Sequence, residues 1–375
     1  MFGKSKKEQK KANGLAVHKK SKQSQKVIGL EVIKNVIRMT VIHGNDIIYG
    51  EKLLEGTIIK RDKLRNAEEL SDALRILAKE LGVSGSHVVY HLNNQTVLIQ
   101  ELKHVSDKSE KQIRETLFLE LGDSISLPFT TPIFELLIAS TSEIPKKKAK
   151  KKAKKSSKRR GKQPVEPEAE QEDLVVLDMI EAEDDSKSVV NKDDAVTYIV
   201  TSEDLLVELA DCILRAGLKP AAVDFSALAV TRYFEDKIDF TQSFMLIELS
   251  SGTATMTIFE GDVPIYVQYE DYNSVGWRYF LEDEALTSFF NEERERSELR
   301  KLVMLIEQLT YYYQTNLSDN QELQTIYITG EHPWIDNEFN ALLMDDLQYP
   351  IRILQFPHGF AAKYILSVGL AMKEV

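Results

Sequence analysis

One cysteine in 375 residues leaves no room for cysteine chemistry as the function. Cys212 lies beside Ile213 and Leu214 in a helical pattern, the setting of a buried core thiol. No apolar run approaches the roughly 20 residues that span a bilayer, and the lysine-rich first residues have no apolar segment behind them. Neither an anchor nor a signal peptide is expected, and the expected location is the cytoplasm. There is no GxSxG, no Walker loop and no nucleophile–base pair within reach in the sequence. His87 and His91 are four apart, but they alternate in a strand pattern with no Cys or Asp cluster nearby, so no metal site is expected.

With 43% hydrophobic and 29% charged residues, the chain can bury a large core, and its length suits two or three domains. The net charge of -11 is unevenly spread. Residues 1–26 carry nine lysines and one glutamate, and 146–162 carry twelve Lys/Arg and no acid, leaving the remaining body strongly acidic. Each cation near an anionic membrane surface is worth about 1 kcal/mol. Neither basic run interleaves aromatics that could stack on bases, which argues against nucleic acid; solvated arms are the simpler reading.

Residues 1–26 are expected to be disordered. Val27 to Ile33, Asn35 to Ile42 and Ile47 to Leu54 read as a meander, with a turn at His43 to Asp46. Asn66 and Glu69 predict a capped helix over 67–81, with Leu70, Leu74, Leu77 and Leu81 on one stripe and Gly82 as the stop. Strands follow at His87 to His91 and Thr96 to Leu102, then a helix from Ser106 with Ile113, Leu117, Phe118 and Leu121 on one face. Ile133 to Ser140 reads as a strand able to pair with Ala195 to Val200 across a charged insertion, in which Leu174 to Leu177 is a candidate strand. A helix opens at Ser202, and a short strand from Pro220 and a short helix from Ser226 follow.

From Phe244 to Gln268 apolar alternation and β-branched residues predict strands bent at Ser250-Ser251-Gly252-Thr253 and at Glu260-Gly261-Asp262. Next come a helix over 281–291 and a long helix from about Ser297 to Asn316, whose Tyr311-Tyr312-Tyr313 reads as core and rim packing. Strand 325–329, a turn at Gly330, helix 336–346, strand 351–354 and a last helix near Phe360 to Met372 complete the chain.

Four stretches, Val27 to Val41, Ala216-Gly217-Leu218-Lys219-Pro220 with Val223-Asp224, Glu307 to Gln314 and Ile328 to Leu343, together with Val368-Gly369-Leu370-Ala371, carry a likeness. The chain resembles the PilM family, actin-like proteins of type IV pilus assembly, over most of 27–375 except the insertion. The resemblance implies an α/β actin-like two-domain fold with ribonuclease H-like halves, an inserted small α/β subdomain and a disordered charged insertion. It divides the chain into a basic arm (1–26), the first part of domain 1 (27–84), the inserted subdomain (85–204, with the insertion at 145–190), a return to domain 1 (205–240), domain 2 (241–355) and a C-terminal helix back on domain 1 (356–375).

In this resemblance the family's nucleotide loops fall on Glu31, Asn35, Glu248, Ser250, Ser251, Gly252, Thr253 and Gly330. They depart from the pattern. Glu31 and Glu248 stand for aspartates, Ile33 and Ser250 for glycines, Ala254 for a threonine and Glu331 for a second glycine. Glycine lets backbone N–H groups approach phosphate, and the carboxylate holds the metal through water; a glutamate, one methylene longer, displaces it. No cofactor is therefore expected; ATP with Mg is what the loops would take if they still worked, and hydrolysis is not expected. Glu31 and Glu248 are either plain exposed strand-end acids or face a cation without nucleotide.

The function implied is a cytoplasmic scaffold of a type IV or competence pilus machine, peripheral at the membrane's inner face. A groove between the first subdomain and the inserted unit, roughly residues 85–200, would take the N-terminal peptide of a PilN-type inner-membrane protein as an extended segment. Other machine subunits, including the motor ATPase, would be partners; self-association and an anionic membrane surface stay open. The rivals are an ATP-binding switch or ATPase of the actin/sugar-kinase superfold, and attachment to nucleic acid or lipid through the basic arms.

Overall fold

The computed structural model describes residues 27–44, 46–60, 62–105, 108–123, 125–137, 195–272, 276–282, 285–318, 320–336, 338–356 and 361–375. The basic arm, the charged insertion with Leu174 to Leu177, and the expected helix starts at Ser106 and Phe360 lie outside these residues.

The chain opens with the meander β1 (Val27–Ile33), β2 (Val36–His43) and β3 (Asp46–Leu53), then a small ladder, β4 (Ile59–Lys60) with β5 (Lys63–Leu64). Helix α1 (Ala67–Glu80) follows, with the Asn66 carboxamide accepting from the Glu69 N–H at 3.2 Å. β6 (His87–His91) lies parallel to β1. It is a strand of the first sheet, whereas the domain division expected from sequence put 85–91 in the inserted unit; that unit begins after His91. It comprises β7 (Leu98–Lys103), α2 (Glu110–Asp123), β8 (Pro132–Leu137) and β9 (Ala195–Ser202). β8 and β9 pair antiparallel across the insertion. Ser109 and Gln112 form a reciprocal cap that starts α2. Its Ile113, Leu117 and Leu121 are buried, but Phe118, about 100° further round the helix, faces outward and is 75% exposed.

α3 (Glu203–Arg215) packs against α1, and β10 (Lys219–Asp224) returns to the first sheet beside β6. After α4 (Ser226–Tyr233) come β11 (Ser243–Ser250), β12 (Thr253–Glu260) and β13 (Val263–Asp271). The expected helix over 281–291 is instead a hairpin, β14 (Trp277–Glu282) with β15 (Ala285–Phe290). Aromatic and β-branched side chains decide it: Phe280 sits opposite Thr287, and Arg278, opposite Phe289, lies 5.5 Å from that ring. α5 (Glu292–Tyr312) starts at Glu292 rather than at about Ser297 as expected. The Asn291 side chain accepts from the Arg294 N–H, and three glutamates occupy the first turn, where the helix dipole favours them. A π-helical turn, Tyr313–Leu317, closes it; Tyr313 is buried while Tyr311 is 68% exposed. β16 (Thr325–Gly330), α6 (Glu338–Asp346), β17 (Ile351–Ile353) and α7 (Ile365–Ala371) complete the chain.

The two large sheets run β10-β6-β1-β2-β3 and β13-β12-β11-β16-β17. In each, an antiparallel meander supplies the first three strands, and the two later strands add parallel on the open side of the first. The same topology thus occurs twice. Alternation along β11 sorts its side chains: Phe244 and Leu246 enter a central cluster with α4 and α7, while Met245, Ile247 and Leu249 face α5 and α6. α7 lies so close to β1 that a Cβ on Gly29 would collide with the Ser367 carbonyl.

Candidate functional site

Between the halves lies a cavity of about 180 Å³ lined by the ends of β1, β11 and β16 and by the turns after them. Arg38 of β2, 2% exposed, is its hub. Its guanidinium donates to Glu31 Oε1 at 3.1 Å, to Glu331 Oε2 at 2.6 Å and to Glu51 Oε2 at 3.4 Å. Glu31 and Glu51 belong to the first half; Glu331 follows β16 in the second, so one buried cation ties the halves together. Burial works against the charge on Arg38, but the Glu331 and Glu31 carboxylates outweigh it and raise the guanidinium's pKa. Tyr279 on the hairpin donates to Glu331 at 2.8 Å, and Arg38 lies 5.7 Å from its ring centre.

Lys34 makes a second tie. From the β1–β2 turn its Nζ donates to the Gly252 carbonyl at 3.0 Å and to Asp271 at 3.1 Å, both in the second half. Its φ of 52° is uncommon for a side-chain-bearing residue, and the cross-cleft bonds hold the turn in that shape. Lys363, ahead of α7, is paired with Glu51.

The other carboxylate on the cavity is Glu248 at the end of β11. The Ser226 hydroxyl donates to it at 3.1 Å, and Asn94 links that hydroxyl to Thr255. Burial lifts Glu248 to about 8 against the effect of Ser226, and lifts Glu31 to about 7 against the pull of Arg38. His91, whose Nδ1–H donates to the Leu92 carbonyl while Nε2 accepts the Val32 N–H, is kept neutral by burial.

The residues expected from sequence scatter over this cleft. Glu31, Glu248, Ser250, Thr253 and Gly330 line it. Glu31 is buried rather than exposed at a strand end, because it stands on the middle strand of its sheet, directly across from its partner Arg38 on β2. The Asn35 carboxamide turns away to the Leu54 carbonyl. The Ser251 N–H donates to Glu331 Oε1, and the Ser251 hydroxyl to the Trp277 carbonyl. Gly330, at φ 123°, presses on the Leu249 backbone, where a Cβ would collide. The residues missed are Arg38, Lys34, Glu51 and Asp271. A lone charged residue in an alternating apolar strand was the available signal for Arg38; the partners of the other three are set by folding.

These groups do not fit a nucleotide and its metal. The second-loop N–H of Ser251, a natural phosphate donor, is taken by Glu331. Lys34 occupies the space between the loops, Glu331 and Asp271 oppose a polyphosphate, and the burial that raises Glu31 and Glu248 disfavours further charge beside them. The cavity is also below the ~300–1,000 Å³ of usual small-molecule sites.

A twice-used five-strand topology with an interdomain cleft is that of the actin-like fold, and this chain has it. A solved PilM–PilN complex of type IV pilus biogenesis is similar to it, with TM-score 0.62 and 14% identity over 92% of this chain and 97% of that one. Looser likenesses are the cytoplasmic domain of EpsL, an inner-membrane component of the Vibrio cholerae type II secretion system (TM-score 0.47, 11% identity, 93% and 96% covered), and the ethanolamine utilization protein EutJ of Carboxydothermus hydrogenoformans (0.46, 10%, 92% and 88%). No family model and no curated sequence matches the chain.

Proposed function

We propose that this protein is a non-catalytic, actin-like scaffold of a type IV pilus or related machine, docking the N-terminal peptide of a PilN-type inner-membrane protein at the cytoplasmic face of the membrane. The observation that carries the reading is the cleft, where Arg38–Glu331 and Lys34–Gly252 join the halves with the protein's own charges. A fold closed in this way has no need of nucleotide to set its shape, and its surfaces are what remain for function. The likeness to PilM in complex with PilN supports the choice of partner. The motor ATPase and other machine subunits are further partners under this reading.

The test is calorimetry of the full chain with the synthetic N-terminal peptide of the PilN-type protein from the same cell. Saturable 1:1 binding is expected, and binding only of scrambled and native peptide alike refutes it. Micromolar Mg-ATP binding weakened by Glu248→Ala would favour the rival ATP-dependent switch.

A further inference from the structure

The inserted unit carries an uncovered flank. Its three-strand sheet runs β7-β9-β8 and ends at β8, which pairs only with β9 among the described residues. α2 lies over one face of that sheet, where Ile113, Leu117 and Leu121 meet Leu136, Val196 and Tyr198. Arg114 of α2 is paired with Glu135 of β8, so the flank of the helix that bears Arg114 is the one beside β8. Phe118, four positions on, shares that flank. It is 75% exposed, and Leu119, next round the helix, is 68% exposed. A strand edge open beside exposed apolar side chains is a surface for an extended apolar segment.

The chain supplies such a segment at that place. Residues 138–194 leave from the end of β8 and return at the start of β9. Register sets Leu137 opposite Thr197 and Lys103 opposite Ala195, so the chain leaves and returns at one end of this sheet. Between those points lies the sequence Leu174-Val175-Val176-Leu177-Asp178-Met179-Ile180. In a strand, its Val175, Leu177 and Met179 share one face, an apolar match for Phe118. The 14 residues 181–194 can span up to about 45 Å, against about 20 Å for the length of β8. The segment therefore reaches any point along the edge. Charge agrees: Lys103 and Lys111 are exposed at the end where the chain returns, and Glu181, Glu183, Asp184 and Asp185 precede the return.

We propose that residues 174–180 of this chain add as a fourth strand to the open edge of β8 and cover Phe118 with Val175, Leu177 and Met179. The Arg114–Glu135 pair at this edge is exposed on both sides and holds little, so the added strand displaces it. Docking closes 138–173 into a loop anchored at both ends on the inserted unit. The twelve Lys/Arg of 146–162 stand at its middle, which presents the basic run at one end of this sheet rather than on a free tether.

The experiment is hydrogen exchange of the purified full chain, read by mass spectrometry at two protein concentrations tenfold apart. Residues 174–180 are expected to exchange at least tenfold more slowly than the same sequence as a free peptide, at both concentrations. Leu177→Asp should abolish that protection and speed exchange in Pro132–Leu137, while α1 and β11 exchange as in the parent chain. A second measurement uses the fact that Cys212, the single cysteine, is buried. Phe118→Cys with Leu177→Cys should form a disulfide at least tenfold faster than Phe118→Cys with Ala149→Cys, whose tether to the sheet is of similar length. Free-peptide exchange at 174–180 would overturn the proposal and leave the edge to a partner chain. Protection lost on dilution, which would belong to a second copy, would overturn it too, as would indifference to Leu177→Asp or equal disulfide rates. The reading as a scaffold does not depend on the result, since peptide binding is measured separately.

Discussion

Replacing Arg38 by methionine removes the charge while keeping most of the side-chain volume. It strips the shared cation from three carboxylates, two of them, Glu31 and Glu331, at most 5% exposed at the side chain. Removing one partner of a buried pair typically costs 3–5 kcal/mol, because a buried charge is left uncompensated. Glu31 already binds its proton up to about pH 7, so it can respond by staying protonated, which puts the expected loss at the low end, about 3 kcal/mol. The unfolded chain has no such acid above its ordinary range, so the loss grows as pH rises from 5 to 8. The assay is urea unfolding followed by fluorescence of the two tryptophans; Trp277 lies 5.9 Å from Tyr279, which contacts the clasp. A double-mutant cycle with Glu331→Gln should give a coupling of about 1–3 kcal/mol, since the pair bridges the halves. An Arg38→Met loss below about 0.5 kcal/mol, the range of ordinary surface changes, or strict additivity with Glu331→Gln, would refute the clasp.

The pH dependence follows from the cavity carboxyls. Folding raises Glu31 to about 7 and Glu248 to about 8 from 4.5, so the folded state binds more protons between pH 4.5 and 8. The contribution of these two groups to stability is therefore full below 4.5 and is lost as pH rises through the folded values. Glu248→Gln should flatten that fall between pH 6 and 8.5 and gain about 3 kcal/mol at the upper end; an unchanged slope in denaturation against pH would contradict it. Gly29→Ala places a methyl against the Ser367 carbonyl of α7 and should cost about 3 kcal/mol or more in urea unfolding; a neutral effect would show that α7 is free to move off β1.

Much of the fold was legible because local patterns agreed with the global one. The 67–81 stripe with its Asn66 cap and the alternation in Phe244 to Ile258 needed no distant partner to be read, and the strand patterns at 133–140 and 195–200 made the pairing of Ile133–Leu137 with Thr197–Thr201 readable across the insertion. Sequence failed where packing overrode local preference. Residues 281–291 carry acids and two leucines that suit a helix, but facing aromatics, Trp277 opposite Phe290, made Ala285–Phe290 one strand of a hairpin. Asn291 and its following glutamates then began α5 earlier.

The candidate site divides the same way. That Glu31 and Glu248 depart from the family's phosphate loops, and Glu331 from its purine-side loop, was legible only through the resemblance, position by position. What filled the space was not visible. Arg38 and Glu331 are 293 positions apart, and Lys34 and Gly252 are 218 apart; an ion pair depends on distance and burial, which only the closed arrangement of the two halves sets. The sequence by itself determined the two meanders and most of the helices, whose patterns are local. Tertiary structure alone decided that Lys34 and Arg38 would join the two halves across the cleft, and that Glu31 and Glu248 would line the same cavity, because those contacts are between residues far apart in the chain.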